Sequence, residues 1–577
     1  MSSSPVNARR IAARPPLSRL GVTPKAAILV LLLAAGTIPP FIFLLFASLH
    51  HFNPDGSFAS ATLAHFAELF TSGAFFTSLR NSVIYSFGAA LVALAIGTAQ
   101  AWLAERTDAP FRSWLYVTAI VSLGIPYVLY IVAWLLFLGK AGSVNQLLVA
   151  IFGGPGPYIN ISSLGGMIFV EGMLWSPLAF LLLTSVFRNA DAAFEEAATI
   201  CGASLPATLR HVTLGMAQPA LLALALLVFI KASESFEVPA LVGLPGATRV
   251  VTTSVYQRMN LDVPPSIGAA SALGVVLLIV MAVLLQLYGR VSAQAHRFRT
   301  VTGKAFRPRV IRLGRWRYPI TILVALIPLV VVVIPLLTIV WAALLPFYQP
   351  FSVAGLSRLR LTNFIQVLTS QSSQDAMLNS LILGAATATV VTALCAVAGW
   401  CVARRVAGGR LIDSLAALPL VFPAIVLGLA WLQIFTHMSS LYGSMASLIL
   451  VSTVAYIPYG LRYTQLGVIQ IHPELEEAAG IAGAGYSSTF VKVVLPLLVP
   501  ALISCWLFVF LLAVRAMALV LLLAGPQSQV VAVALFDLWN NGPIGEVAAL
   551  GIVWTAIMTF FSLAFFVLAR RYQLPIG

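Results

Sequence analysis

The stretch IHPELEEAAGIAGAGYSSTFVKVVLP (471–496) sets the reading of the whole chain. Pro473 suits a first helical turn, and ELEEAAGIA puts its acids at the N-terminal end, where the helix dipole favours them. Gly483 and Gly485 stop that helix, because glycine readily takes the left-handed conformation that ends one. Ser487 is placed to cap a second short helix that runs on through Pro496. This elbow is polar, yet 445–468 and 498–523 on either side of it are long apolar runs. The phrase also occurs earlier as FEEAATICGASLP (194–206), with a stop at Gly202, a cap at Ser204 and a new start at Pro206.

Outward from the elbows the composition is that of a membrane. Of the 577 residues 60% are hydrophobic and 9% charged, with a mean hydropathy of +0.98, whereas soluble domains carry about 25% charged residues. Runs such as AAILVLLLAAGTIPPFIFLLFASL (26–49) meet the length of roughly 20 apolar residues needed to cross the hydrocarbon core. A chain in lipid must pair its own backbone groups, in helices or closed barrels, and these runs lack barrel alternation. The sequence therefore predicts an all-α polytopic membrane protein with twelve spans. They lie near 26–48, 79–104, 114–138, 164–187, 217–242, 266–288, 319–345, 378–403, 412–435, 445–468, 498–523 and 547–569. The first is too long for a signal peptide and lacks a small-residue cleavage site.

With the N-terminus inside, most of the 33 Lys and Arg fall in cytoplasmic segments, as the positive-inside rule expects. Both termini are accordingly predicted to be cytoplasmic. The net charge of +15 fits attraction to lipid headgroups at the inner face, and nucleic acid is not an expected partner. Cys201, Cys395, Cys401 and Cys505 show no metal-ligand spacing, and no metal site or catalytic residue is predicted. No G-x-x-x-x-G-K-[ST] pattern occurs, so this chain is not expected to hydrolyse ATP.

The chain says one half twice. Asn81-Ser82 and Trp102 recur 298 residues later as Asn379-Ser380 and Trp400; Glu196, Gly202 and Val212 recur 281 later as Glu477, Gly483 and Val493. The register is lost in the longer loop KAGSVNQLLVAIFGGPGPYINISS (140–163). The expected organisation is a tail (1–25), a first half (26–288, core 79–288), a basic linker (289–318) and a second half (319–577, core 378–570). The linker carries nine Lys or Arg and no acid, which reads as a tether at the inner leaflet or as a docking arm. Parallel repeats related by an axis along the membrane normal place a pathway between them.

Exposed glutamates on a rigid elbow suit charge-assisted bonds to a partner's Arg or Lys. The plainer reading is a solvated loop whose acids offset Arg188, Arg210 and Arg462; the duplication favours the first. The elbows resemble the E-A-A, three residues, G, nine residues, I-x-L-P loop of permeases in binding-protein-dependent ABC importers. The second copy fits with Glu477, Ala478, Ala479, Gly483, Val493, Leu495 and Pro496, and Glu476 precedes them. The first has Glu196, Ala197, Ala198, Gly202, Val212 and Leu214 after Glu195, but Gly215 stands in place of the final proline. The resemblance implies a type I ABC importer permease fold with two parallel six-helix repeats in a bacterial inner membrane. It further implies two copies of a cytoplasmic ABC ATPase docked on the elbows, and substrate delivery by a periplasmic binding protein. ATP would be used by the partner, with no cofactor bound by this chain. Fusion of two halves, ESFEVPALVGLPG (234–246) and VTGKAFRPR (301–309) resemble the ferric-iron branch of the family. Thiamine, aminoethylphosphonate or polyamine remain alternative substrates, and an ion-coupled secondary transporter is the alternative class.

Ionisable residues inside the membrane are costly and point to function. Lys231, Glu234 and Glu237, at i, i+3 and i+6 on the fifth span, with Glu171 and Arg515, are expected to line the pathway or its outer gate. Glu234 matches Arg515 across the repeat, so the two could pair and lock one state. The alternative is a neutralising Lys231–Glu234 pair, with Glu237 at the external interface near Pro239. Pro126, Pro177, Pro423 and Pro458 are candidate kinks.

Overall fold

The computed structural model describes residues 24–52, 58–189, 192–262, 265–297, 313–438 and 440–571. Apolar runs become helices because a helix satisfies its backbone within one segment. α1 (Pro24–Ser48) leads into an antiparallel hairpin, β1 (His50–Phe52) and β2 (Phe58–Ala61). The first half continues with α2 (Gly73–Arg106), α3 (Arg112–Gly124), α4 (Tyr127–Leu138), α5 (Leu164–Asn189), α6 (Ala192–Ile200), α7 (Leu214–Glu234), α8 (Val251–Asn260) and α9 (Ile267–Arg297). The second half repeats this order. α10 (Arg317–Pro328) and α11 (Ile334–Leu344) form its first span, followed by α12 (Gln371–Ala403), α13 (Gly409–Ala417) and α14 (Ala424–Thr436). Then come α15 (Met445–Gln470), α16 (Glu474–Ile481), α17 (Leu495–Arg515), α18 (Val531–Asn541) and α19 (Ile544–Arg571).

Among the described residues eleven helices are long and apolar enough to cross a membrane, and a pair bent by 104°, Gly409–Val421 with Ala424–Thr436, makes a twelfth if counted as one span. Two expectations about span boundaries are corrected. The runs 114–138 and 412–435 are not single helices: Ile125 and Phe422 are extended, and Pro126 and Pro423 stand at the N-caps of α4 and α14. Proline lacks the N–H and drives the preceding residue out of the helical region. By contrast Pro177 and Pro458 lie inside α5 and α15.

The spans expected at 217–242 and 498–523 also end early, at Glu234 and Arg515, where Ser235 and Ala516 turn extended. The apolar text beyond them is buried in short non-α turns: in one half a π turn (Pro239–Gly243) and a 3-10 turn (Leu244–Gly246), with Phe236, Val238, Leu241 and Val242 enclosed, and in the other a run of turns that encloses Met517, Leu519, Val520 and Leu523. Such backbone is tolerated at membrane depth where protein covers it.

The recurring Asn-Ser pairs hold these segments. Ser82 and Ser380 accept hydrogen bonds from the first helical N–H groups of α8 and α18, Val251 (2.9 Å) and Val531 (2.8 Å). Asn81 donates to Arg249 O, and Asn379 to Gln527 O and Gln529 O, all at 3.0 Å.

In each half a long central helix packs on the two helices flanking the elbow, α2 on α5 and α7, α12 on α15 and α17. Close approach is set by small residues: a Cβ on Gly97 would sit 2.6 Å from Ala179 Cβ and 2.8 Å from Phe180 N. The first span of each half crosses to the other. α1 packs on α13 and α14, while α10 packs on α3 and α11 on α4. The core that results is shared, with Tyr130 donating to Val331 O (2.8 Å) and Gln433 to Ser271 Oγ (2.7 Å). Residues 298–312 of the basic linker lie outside the described residues, and its first part continues α9 to Arg297. Its C-terminal end is anchored where Leu313 N donates to Asp108 Oδ1 (2.9 Å).

Candidate functional site

Both elbows form, and by the same local chemistry. α6 carries Glu195 in its first turn, and α16 carries Glu474, Glu476 and Glu477 there, at the favourable end of the dipole. Gly202 and Gly483 both have φ +85°. A Cβ at either would meet nothing within 4 Å, so the requirement for glycine is purely conformational. Ala203 N bonds Ala198 O and Gly202 N bonds Thr199 O; Ala484 N bonds Ala479 O and Gly483 N bonds Gly480 O. This pair of bonds satisfies the last carbonyls of each elbow helix.

Short helices Leu205–Thr208 and Tyr486–Thr489 follow, each running through a π turn, Leu209–Thr213 or Phe490–Val494, into α7 or α17. Ser487 is not the cap expected of it: Gly485 is the N-cap, and Ser487 lies inside the short helix. Pro496 and Gly215 occupy the same early position in α17 and α7, and both helices run on through them.

The doubled glutamates do not both face outward, which corrects the expectation of two exposed acids per elbow. Adjacent residues on a helix point about 100° apart, and the elbow lies against the bundle. Glu195 is buried, with its Oε1 accepting from Thr213 Oγ1 (2.7 Å) and its Oε2 3.7 Å from Arg106 Nη1. Its counterpart Glu476 is half-buried, accepting from Arg404 Nε (2.7 Å) and Trp400 Nε1 (3.0 Å). Arg404 also donates to Ile471 O (2.8 Å). Arg188, expected beside the elbow acids, pairs instead with Glu105 at 2.7 Å, and Arg462 with Asp413 at 3.3 Å.

Glu196 and Glu477 are exposed, as are Ala197 and Ala478, while Ala198 and Ala479 are half-buried. Beside them stand apolar side chains that the sequence reading overlooked. Ile200 and Ile481 are 86% and 82% exposed, and Phe194 and Leu475 are 55% and 47% exposed. These two pairs share the 281-residue offset of the elbows, the signal that could have found them. Arg106 and Arg404 were likewise detectable, at the 298-residue offset of Trp102 and Trp400.

The intramembrane charges gather where the halves meet, at the ends of α7 and α17. Glu234 pairs with Lys231 on its own helix (2.5 Å), and Lys231 Nζ reaches Tyr459 OH of the second half at 3.3 Å. Arg515 crosses the other way, its guanidinium 4.2 Å over the Tyr127 ring and Nη2 3.4 Å from Ile125 O. Of the two alternatives, it is the neutralising Lys231–Glu234 pair that the structure shows. Glu237 is not on the fifth span's helix, which has ended; its Oε1 lies 3.4 Å from the N–H of Ala518, the residue matching it in the other half. Glu171 is buried on α5 and accepts from Tyr85 OH (2.6 Å), Trp175 Nε1 (2.9 Å) and Ser235 Oγ (3.1 Å).

Comparison with known proteins matches this doubled architecture. The family model described as binding-protein-dependent transport system inner membrane component matches residues 97–295 and again 394–573. The ferric transport system permease protein FbpB of Actinobacillus pleuropneumoniae is 26% identical over 441 residues, 74% of this chain and 62% of that protein. A probable ABC transporter permease of Sinorhizobium fredii, y4fN, is 25% identical over 515 residues, 86% of this chain and 88% of its own. The trehalose/maltose transport system permease MalG of Thermococcus litoralis is 28% identical over 214 residues, 36% of this chain and 70% of its own. With the family's domain present twice in a multi-pass helical chain, the protein belongs to the binding-protein-dependent inner membrane components and is an ABC importer permease.

Proposed function

We propose that the chain forms the translocation pathway for ferric iron delivered by a periplasmic binding protein, driven by two copies of a cytoplasmic ATPase docked on the elbows. The observation that carries this reading is the matched surface of the elbows: Glu196 with Phe194 and Ile200, and Glu477 with Leu475 and Ile481, all exposed. Exposed apolar side chains rimmed by charge are what a protein partner covers. In this reading the elbows and both termini lie on the cytoplasmic face, ATP is consumed by the partner, and no cofactor is bound by the chain itself.

Iron is supported by the name of the ferric permease it resembles; a sugar permease also matches over 36% of the chain, and thiamine, aminoethylphosphonate or polyamine remain alternatives. Among the described residues no group of three or more His, Cys, Asp or Glu stands together as a metal site. The reading therefore assigns recognition of the ion to the binding protein. Glu171, Lys231, Glu234, Glu237 and Arg515 line the pathway or its outer gate; in support, the bonds of Lys231, Glu237 and Arg515 cross from one half to the other. Alternating access follows if ATP binding favours one arrangement of the halves.

The test is the double variant Glu196→Lys with Glu477→Lys. Co-purification of the ATPase with the permease should fall by roughly tenfold or more, as expected when a charge meets its like at an interface. Undiminished assembly and transport would remove the elbows from this role.

A further inference from the structure

We infer that Arg106–Glu195 and Arg404–Glu476 are transmission joints, positioning residues through which displacement of the elbows reaches the long helices α2 and α12. The inference rests on the elbows being the ATPase-docking elements. An elbow helix of eight or nine residues tethered only by its flanking loops would tilt on its own. The structure ties each one to the core by its inward glutamate. In the first half Glu195 meets Arg106, the last residue of α2, and Thr213, in the π turn that opens α7; Arg106 and Glu195 are fully enclosed. One carboxylate thus joins the elbow to two helices.

In the second half Glu476 meets Arg404 and Trp400 at the end of α12, and Arg404 also holds Ile471 O just ahead of the elbow. Val494 replaces Thr213 there, so this joint reaches α12 alone. π turns often mark functional positions in helices, and here they sit in both halves where the elbow passes into the core helix. α2 and α12 are the central helices of their halves. Moving either carries α5 and α7, or α15 and α17, with it, because close-packed helices shift as units.

The second joint is the one to test, because its partners are slightly exposed (13% and 15%) and its loss perturbs folding less. In nanodiscs holding the permease, its ATPase and loaded binding protein, Arg404→Glu should keep the ATPase bound. Stimulation of ATP hydrolysis by the binding protein, and solute moved per ATP, should fall by roughly 10–100-fold, the range of ordinary coupling energies. Arg404→Lys should retain much of the coupling, and Arg404→Glu with Glu476→Arg should restore it. If Arg404→Glu does not accumulate, Arg404→Gln provides the same readout. Coupling that survives Arg404→Glu or Arg404→Gln, or a loss that neither Arg404→Lys nor the swap relieves, overturns the joint. An ATPase that fails to bind the unaltered permease overturns the docking reading instead, so the two failures are distinguishable.

Discussion

Replacing Glu171 by alanine is expected to destabilise the first half by about 2–4 kcal/mol, and the sum can be worked from its neighbours. Its carboxyl group accepts from Tyr85, Trp175 and Ser235. Trp175 and Ser235 are half-buried and retain other routes to a partner, whereas Tyr85 is 1% exposed. Its stranded hydroxyl costs about 1–3 kcal/mol, and the void left by the side chain adds roughly 1 kcal/mol more. Hydrogen bonds between membrane helices average nearer 0.6 kcal/mol in double-mutant cycles, which favours the lower part of that range.

A cycle with Tyr85→Phe separates the terms. In the natural background Tyr85→Phe should cost about 1–2 kcal/mol, by removing a donor from the carboxyl group. In the Glu171→Ala background it should cost nothing or stabilise, because the stranded hydroxyl goes. Unfolding by SDS titration in mixed micelles, followed by tryptophan fluorescence, should give a coupling of about 1–3 kcal/mol. Additivity within about 0.3 kcal/mol would show that the Glu171–Tyr85 bond contributes nothing and would refute the reasoning.

Other outcomes follow from the packing and the caps. Gly97→Val forces α2 away from Ala179 and Phe180 and should cost about 1–3 kcal/mol or more in the same unfolding assay. Gly480→Ala lies in the elbow helix with nothing within 4 Å of its new Cβ; it should leave stability unchanged or raise it by about 0.5–1 kcal/mol. Asn379→Ala removes two bonds to loop carbonyls and Asn81→Ala one. At about 1 kcal/mol per bond, the thermal midpoint should fall further for Asn379→Ala.

The spans, the repeat and the elbows were legible because each leaves a one-dimensional trace: apolar length, a fixed offset, glycine after an acidic helix. The ends of α7 and α17 left none. In 235–246 and 516–524 the text stays apolar after the helix stops, because protein rather than lipid covers it, and hydropathy reports burial without conformation. The orientation of the paired glutamates was hidden for a different reason. Glu195 and Glu196 are chemically identical, and only the position of Arg106, 89 residues earlier, decides which one turns inward. Lys231 was legible as the neighbour of Glu234, since i, i+3 pairs meet on any helix. Arg515 was not, because its partners Tyr127 and Ile125 lie in the other half.

The central claim is that an ATP-driven partner moves solute through this chain. The direct measurement is ferric-ion uptake into proteoliposomes holding the permease and its ATPase, with loaded binding protein outside and ATP inside. The account predicts uptake that requires ATP hydrolysis and the binding protein together and that persists when every ion gradient is collapsed. Uptake that proceeds without ATP and stops when a proton or sodium gradient is dissipated would contradict it.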